Sequence, residues 1–234
     1  MINLSIQSVF KTTTITLKSV LIALLLLSIS YAASVPEPQQ LMEDTSKVML
    51  KKFIDQTEAI RKDPKIAHTL INESLVPHIN FNIMSRWVLG KNWKKATPDQ
   101  QQQFIKEFQD LVIKFYSKAF IQFLEKNDLK DGIIAFQPYR GKVNGKYATI
   151  RSQINPPSGA EPIKVNYDLY HSKKTGKWQV YDVSVEGISL VTTYRSSFNQ
   201  IIKQKGMDAL LSELRDKNSK LNAPEVKQQV VENK

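Results

Sequence analysis

Residues 97–125 read as one uninterrupted helix, and that helix constrains the fold more than any other feature of the chain. Thr97 can N-cap it, Pro98 fits its first position, and Gln100 stands three residues after Thr97, as a capping box requires. Such a helix is about 43 Å long at roughly 1.5 Å per residue. Phe104, Phe108, Leu111, Phe115, Ala119 and Phe123 fall on one predicted face, and Ile105, Val112, Tyr116 and Phe120 widen it. Five of the chain's ten Phe lie here. A face this wide either packs an ordinary core or walls a cavity for an apolar ligand.

The N-terminal residues read as a secretory signal. Lys11 and Lys18 supply positive charge, residues 19–29 form an apolar run too short to span a bilayer comfortably, and Ser30-Tyr31-Ala32 places small residues at −3 and −1. Cleavage is expected after Ala32, giving a signal over residues 1–32. The competing reading, an uncleaved anchor, fits poorly with so short a run succeeded by Pro36 and Pro38. There is no Cys, which excludes anchoring at a lipidated cleavage-site Cys, disulfides and thiolate chemistry. The remaining chain suits a single domain over residues 33–217 and a polar, aperiodic tail over 218–234. The net charge is +11, and removing the two leader lysines leaves +9. Basic charge often points to nucleic acid. Export argues against that and favours phospholipid head groups, an acidic partner protein or an anionic cell wall.

Periodicity orders the rest. A first helix is predicted from about Pro38 to Arg61, with Leu41, Val48, Phe53 and Ile60 near one side. Asp63-Pro64 opens a second, with Ile66, Leu70, Ile71 and Leu75, which stops near Pro77. Asn80 caps a short helix carrying Phe81, Met84, Trp87 and Val88 that ends at Gly90. After Asp131-Gly132 the period becomes alternating. Residues 133–139, 147–154, 163–170 and 178–186 read as four antiparallel strands, the last with Trp178 and Val180 opposing Gln179, Tyr181, Val183 and Val185. Ser189 caps a final long helix ending at Lys205-Gly206, and residues 207–215 form a short one. The fold class is α+β: helices packed on one face of a curved four-stranded antiparallel sheet.

Catalytic signals are few. His68, His78 and His171 share no metal-ligand spacing, and there is no GxSxG, P-loop or GxGxxG after a strand. Asp182 and Glu186, four apart on strand four, point the same way and read as a solvated or Arg-paired edge. An acid–base pair of Asp182 with His171 or Tyr181 is the enzymatic alternative: a small periplasmic isomerase- or dehydratase-like enzyme with an apolar cavity. The non-enzyme reading is preferred, with neither metal nor cofactor.

Two long motifs carry a resemblance. FNIMSRWVLGKNWKKATPDQQQQFIKEFQDLVIKFYS (81–117) and GKWQVYDVSVEGISLVTTYRSSFNQIIKQKGMDALLSEL (176–214) resemble the MlaC-type periplasmic phospholipid-binding proteins, also called the toluene-tolerance Ttg2 family. The order of short helix, V-L-G, Trp, T-P-x-Q and long helix is similar, as is Y-D-V-S-V-E-G-I-S-L-V leading into a Y-R-S-x-F helix. The resemblance spans roughly residues 45–214.

It implies a monomeric periplasmic carrier that shuttles phospholipid between an outer-membrane lipoprotein–porin complex and an inner-membrane ABC transporter with an MCE-domain subunit, maintaining outer-membrane lipid asymmetry. It also implies an apolar lipid pocket between sheet and helices; some relatives act in hopanoid pathways, which leaves another lipid as the alternative cargo. Two acyl chains carry on the order of 30 methylenes at ~0.8 kcal/mol each, so exposing them to water costs roughly 20–25 kcal/mol. A carrier needs nearly that much matching apolar area, and no catalytic residue. The expected lipid-binding residues are Phe104, Phe108, Leu111, Val112 and Phe115 on the long helix, and Val165, Tyr167, Leu169 and Val180 on the strands.

Overall fold

A computed structural model describes residues 37–126, 128–141 and 145–222. The expected signal over residues 1–32 lies outside the described residues. Among those residues, seven α-helices flank one open antiparallel sheet. The helices are α1 (Glu37–Asp55), α2 (Thr57–Lys62), α3 (Lys65–Ser74), α4 (Phe81–Leu89), α5 (Pro98–Lys126), α6 (Leu190–Lys205) and α7 (Met207–Asn222). The strands are β1 (Ile134–Phe136), β2 (Tyr147–Ile154), β3 (Ile163–His171), β4 (Trp178–Val185) and β5 (Ile188–Ser189), paired in sequence order. A two-residue fifth strand thus joins the expected four. The predicted first helix breaks into α1 and α2 at Gln56, and on α1 Val48 is exposed while Met42, Leu50 and Phe53 are buried.

The caps form as their residue types dictate. Thr97 N–H donates to Gln100 Oε1 (3.0 Å) while Gln100 N–H donates to Thr97 Oγ1 (3.2 Å), completing the capping box of α5. Asn80 Oδ1 accepts the Ile83 amide, Ser189 Oγ accepts the Thr192 amide, and Asp63 Oδ1 accepts the Lys65 amide.

The long helix does not bury one continuous face. Its first half buries Phe104, Phe108, Leu111 and Val112 against α4, α6 and α7, among them Val88, Phe198, Leu210 and Leu214. Its second half buries Leu124, with Phe120 and Ile121, against Phe53, Ile60, Ala67 and Leu70 of α1–α3. Phe108 and the buried Ser117 are nine residues apart, two and a half turns, so they lie on opposite sides of the rod. Phe115 and Ala119, expected on the buried stripe, are exposed as a result, Phe115 by 50%.

The helix α7 runs past the expected start of the tail. Asn218 is buried, and its Nδ2 donates to the Glu107 carbonyl (3.0 Å) and to Glu107 Oε2 (2.8 Å), tying α7 to α5. Residues 223–234 lie outside the described residues.

A β-bulge reorders β4. Leu169 pairs with Val180 and Asp168 with Asp182, leaving Tyr181 as the extra residue. Val183 and Val185, opposite Tyr167 and Val165, therefore share the inner face with Trp178 and Val180, instead of opposing them as strict alternation predicts. Tyr181 and Asp182 both turn to the outer face.

Candidate functional site

The inner face of the sheet carries Ala148, Ile150 and Ser152 from β2, Val165, Tyr167 and Leu169 from β3, and Trp178 and Val180 from β4. Met42 of α1 packs onto Ala148, Ile150, Leu169, Trp178 and Val180. Two hydrogen bonds strap the start of α1 across the sheet: the Tyr139 amide donates to Gln39 Oε1 (2.7 Å), and Trp178 Nε1 donates to Glu37 Oε2 (3.3 Å).

The nine residues expected to bind lipid fall into separate places. Val165, Leu169 and Val180 are buried on the inner face, and Tyr167 is partly buried there, its phenol pushed up by burial against the opposing hydrogen bond from Ser152. Phe104, Phe108, Leu111 and Val112 are buried in the helical cluster with α6 and α7. Ile79 is the residue that packs against both clusters. Phe115 is half exposed and sets its ring edge-on to Tyr116, 5.3 Å between centroids.

Where α1 leaves the sheet, a groove opens between it and β1. Its volume is about 670 Å³, within the range of small-molecule pockets. Leu50 and Ile54 of α1 face Ile134 and Phe136 of β1 across it. Phe136 also stacks on Tyr167 at 6.4 Å, so the groove's apolar wall is in contact with the inner face of the sheet. Its rim is polar: Glu43, Ser46, Lys47, Asp131, and the pair Lys51–Asp55 at 3.0 Å. The arrangement offers an apolar floor with charged groups at the water boundary, which suits an amphiphile. Sequence reading missed these residues because only Leu50 and Ile54 are apolar on that stripe of α1; the others are charged or small, so no amphipathic signal marks it.

The carboxylates of β4 do structural work. Asp182 is buried; its Oδ1 accepts the amides of Val183 (2.8 Å) and Val191 (3.0 Å), and Ser189 Oγ donates to its Oδ2 (2.5 Å). It is thus neither solvated nor Arg-paired but fastens the start of α6 to the sheet. Glu186 sits beyond the strand with φ 49° and accepts the Lys164 amide, so the two carboxylates do not act as a pair. His171 pairs with Trp178 at the far end of β4, its ring 4.9 Å from the indole, about 10–13 Å along the strand from Asp182. Burial and the charge of Asp168 push the Tyr181 phenol up to about 12, which makes it a poor base near neutral pH.

The family of MlaC proteins matches residues 43–216. The chain is 23% identical over 182 residues to the intermembrane phospholipid transport system binding protein MlaC of Haemophilus influenzae, covering 78% of this chain and 82% of that one. It is 24% identical over 172 residues to the toluene tolerance protein ttg2D of Pseudomonas putida, covering 73% and 75% respectively. The fold is similar to that of a phospholipid-binding protein from Ralstonia solanacearum, solved in complex with a phospholipid, at a TM-score of 0.69 and 26% identity, over 79% of this chain and 98% of that one. With a family match over most of its described length and a similar architecture, this chain belongs to the MlaC family.

Proposed function

We infer that this protein is a phospholipid carrier: it holds a phospholipid with its acyl chains along the α1–β1 groove and the inner face of the sheet, and delivers it between membranes. The observation that carries the reading is the likeness to the Ralstonia protein, which was solved with a phospholipid bound and is matched over nearly its whole length. The groove supports it chemically. Leu50, Ile54, Ile134 and Phe136 offer apolar contact without directional bonds, which accommodates mixed chains, while Lys47, Lys51, Asp55 and Asp131 stand where a head group meets water. In this reading the protein works in the periplasm, receives or hands over lipid at an outer-membrane lipoprotein–porin complex and at an inner-membrane ABC transporter with an MCE-domain subunit, and helps maintain outer-membrane lipid asymmetry. It catalyses no reaction; the energy for directional transfer comes from its partners.

The test is organic extraction of the purified full chain, with mass spectrometry of the extract. Phospholipid in the extract is the expected result, and its loss in folded Ile54→Glu and Phe136→Glu proteins places it in the groove, because an unpaired charge there is costly. An extract free of phospholipid overturns the carrier reading; a hopanoid in its place changes the cargo and keeps the carrier.

A further inference from the structure

The outer face of the sheet carries a row of aromatic rings that the carrier reading does not use. Tyr170 and Tyr147 pair across β3 and β2 with ring centroids 5.6 Å apart, Tyr147 meets Tyr181 at 6.1 Å, and Tyr181 stacks on Trp87 of α4 at 5.8 Å. The bulge in β4 is what turns Tyr181 into this row. Tyr147 and Trp87 remain 51% and 46% exposed although their rings are held in place by neighbours.

Cations accompany the rings. Lys146 Nζ lies 5.1 Å from the Tyr170 ring and 5.7 Å from the Tyr147 ring. The Arg195 guanidinium lies 5.9 Å from the Trp87 ring and is fixed there by Nε donating to the Trp87 carbonyl (2.6 Å). Arg140, Lys146 and Arg151 line a shallow depression beside Tyr147 and Tyr181, and among the described residues no acidic side chain lines it. Asp168, on the same face of β3, accepts a hydrogen bond from Thr149 Oγ1 at 2.6 Å and is half-buried.

Ordered, half-exposed Tyr and Trp rings interleaved with Lys and Arg match the interface of an anionic bilayer. The rings sit at head-group depth with their polar atoms in water, and the cations meet lipid phosphates. We propose that the outer face of the sheet, through Lys146, Arg151, Tyr147, Tyr181, Trp87 and Arg195, is a peripheral docking surface for anionic phospholipid membranes, distinct from the groove that holds cargo.

Flotation of the full chain with phosphatidylcholine vesicles, with and without phosphatidylglycerol, tests this. Binding is expected to phosphatidylglycerol vesicles and to weaken as salt rises, since screening shortens to about 8 Å at physiological ionic strength. Each basic residue near an anionic surface contributes about fivefold, so the double variant Lys146→Gln/Arg151→Gln should bind about twenty-five-fold less tightly. The control Lys203→Gln/Lys217→Gln removes the same charge from exposed positions on α6 and α7 and should bind nearly as the parent does. Tyr147→Ser should weaken binding in high salt, where the rings remain and the cations are screened. Equal binding to both vesicle types, or a folded Lys146→Gln/Arg151→Gln protein that floats like the parent or like the control, overturns the proposal. So does a variant that floats normally but loses affinity for an acidic polypeptide, which reassigns the surface to a protein partner. Cargo content of the same variants should match the parent, which separates this surface from the carrier reading.

Discussion

Ser189 Oγ donates to Asp182 Oδ2 at 2.5 Å while accepting the Thr192 amide at 3.0 Å, so a strand carboxylate and a helix cap share one hydroxyl. Together with the Val191 amide on Asp182 Oδ1, this fixes the direction in which α6 leaves the sheet. The position of α6 in turn decides where Val191 and Phe198 meet Phe108. Removing Asp182 should therefore act on stability. Asp182→Ala leaves two amides and a hydroxyl without their acceptor and is expected to cost about 2–4 kcal/mol. Urea unfolding measures the cost, and the lipid content of the folded fraction should be unchanged. A stable Asp182→Ala protein that fails to carry lipid would revive a chemical role for this carboxylate.

Phe108 and Phe115 are one helical stripe in the sequence and two environments in the structure. Phe108 is fully buried, with rings of Tyr194 and Phe198 at 5.2 and 6.0 Å. Phe108→Ala is expected to cost about 3–5 kcal/mol. Phe115→Ala, at a half-exposed position, should cost about 1 kcal/mol or less. Comparable losses for both in thermal or urea unfolding would mean that Phe115 is covered in the working protein.

Asp168 has a folded pKa raised chiefly by burial, with the charge of Asp182 adding to it, against the Thr149 hydrogen bond and the charge of Arg151. A carboxyl whose folded pKa lies above its unfolded value favours folding while it is protonated, and that contribution is lost as pH rises through the folded pKa. Asp168→Asn keeps an acceptor for Thr149 and removes the ionisation. The variant should thus gain stability relative to the parent at neutral pH, and the gain should shrink as pH falls through the raised folded pKa and vanish below the ordinary carboxylate value of about 3.9. Denaturation midpoints at the two pH values measure the difference. A variant less stable than the parent at neutral pH and equal to it in acid would reverse the sign and the argument.

Asn218 ties the C-terminal part of α7 to α5. Its Nδ2 bridges the Glu107 carbonyl and carboxylate in a buried setting. Asn218→Ala should destabilise by about 1–3 kcal/mol. Truncation after Lys217 should do at least as much, because it also frays the turn that carries Leu214. Truncation after Asn222 serves as the comparison and should stay close to the parent in a thermal melt.

Local rules were legible in the residues themselves. The capping box at Thr97 and Gln100, the caps at Asn80 and Ser189, the stop at Gly206 and the meander of β2, β3 and β4 all arise from short-range chemistry, because a cap or an alternation needs only neighbours a few residues away. The two long motifs were legible for the same reason, and family membership came with them. Three features were decided by tertiary packing. The apolar face of α5 is wide enough to serve two opposite sides, and only the placement of α7 on one and α2–α3 on the other leaves Phe115 in water. The bulge at Tyr181 inverts the facing of everything after it on β4, and one inserted residue leaves no mark on a pattern of period two. The α1–β1 groove is assembled from Leu50 and Ile54 on one element and Ile134 and Phe136 on another some eighty residues later. Each half is too short an apolar signal to announce a site, and the cavity exists only where long-range packing sets the two halves side by side.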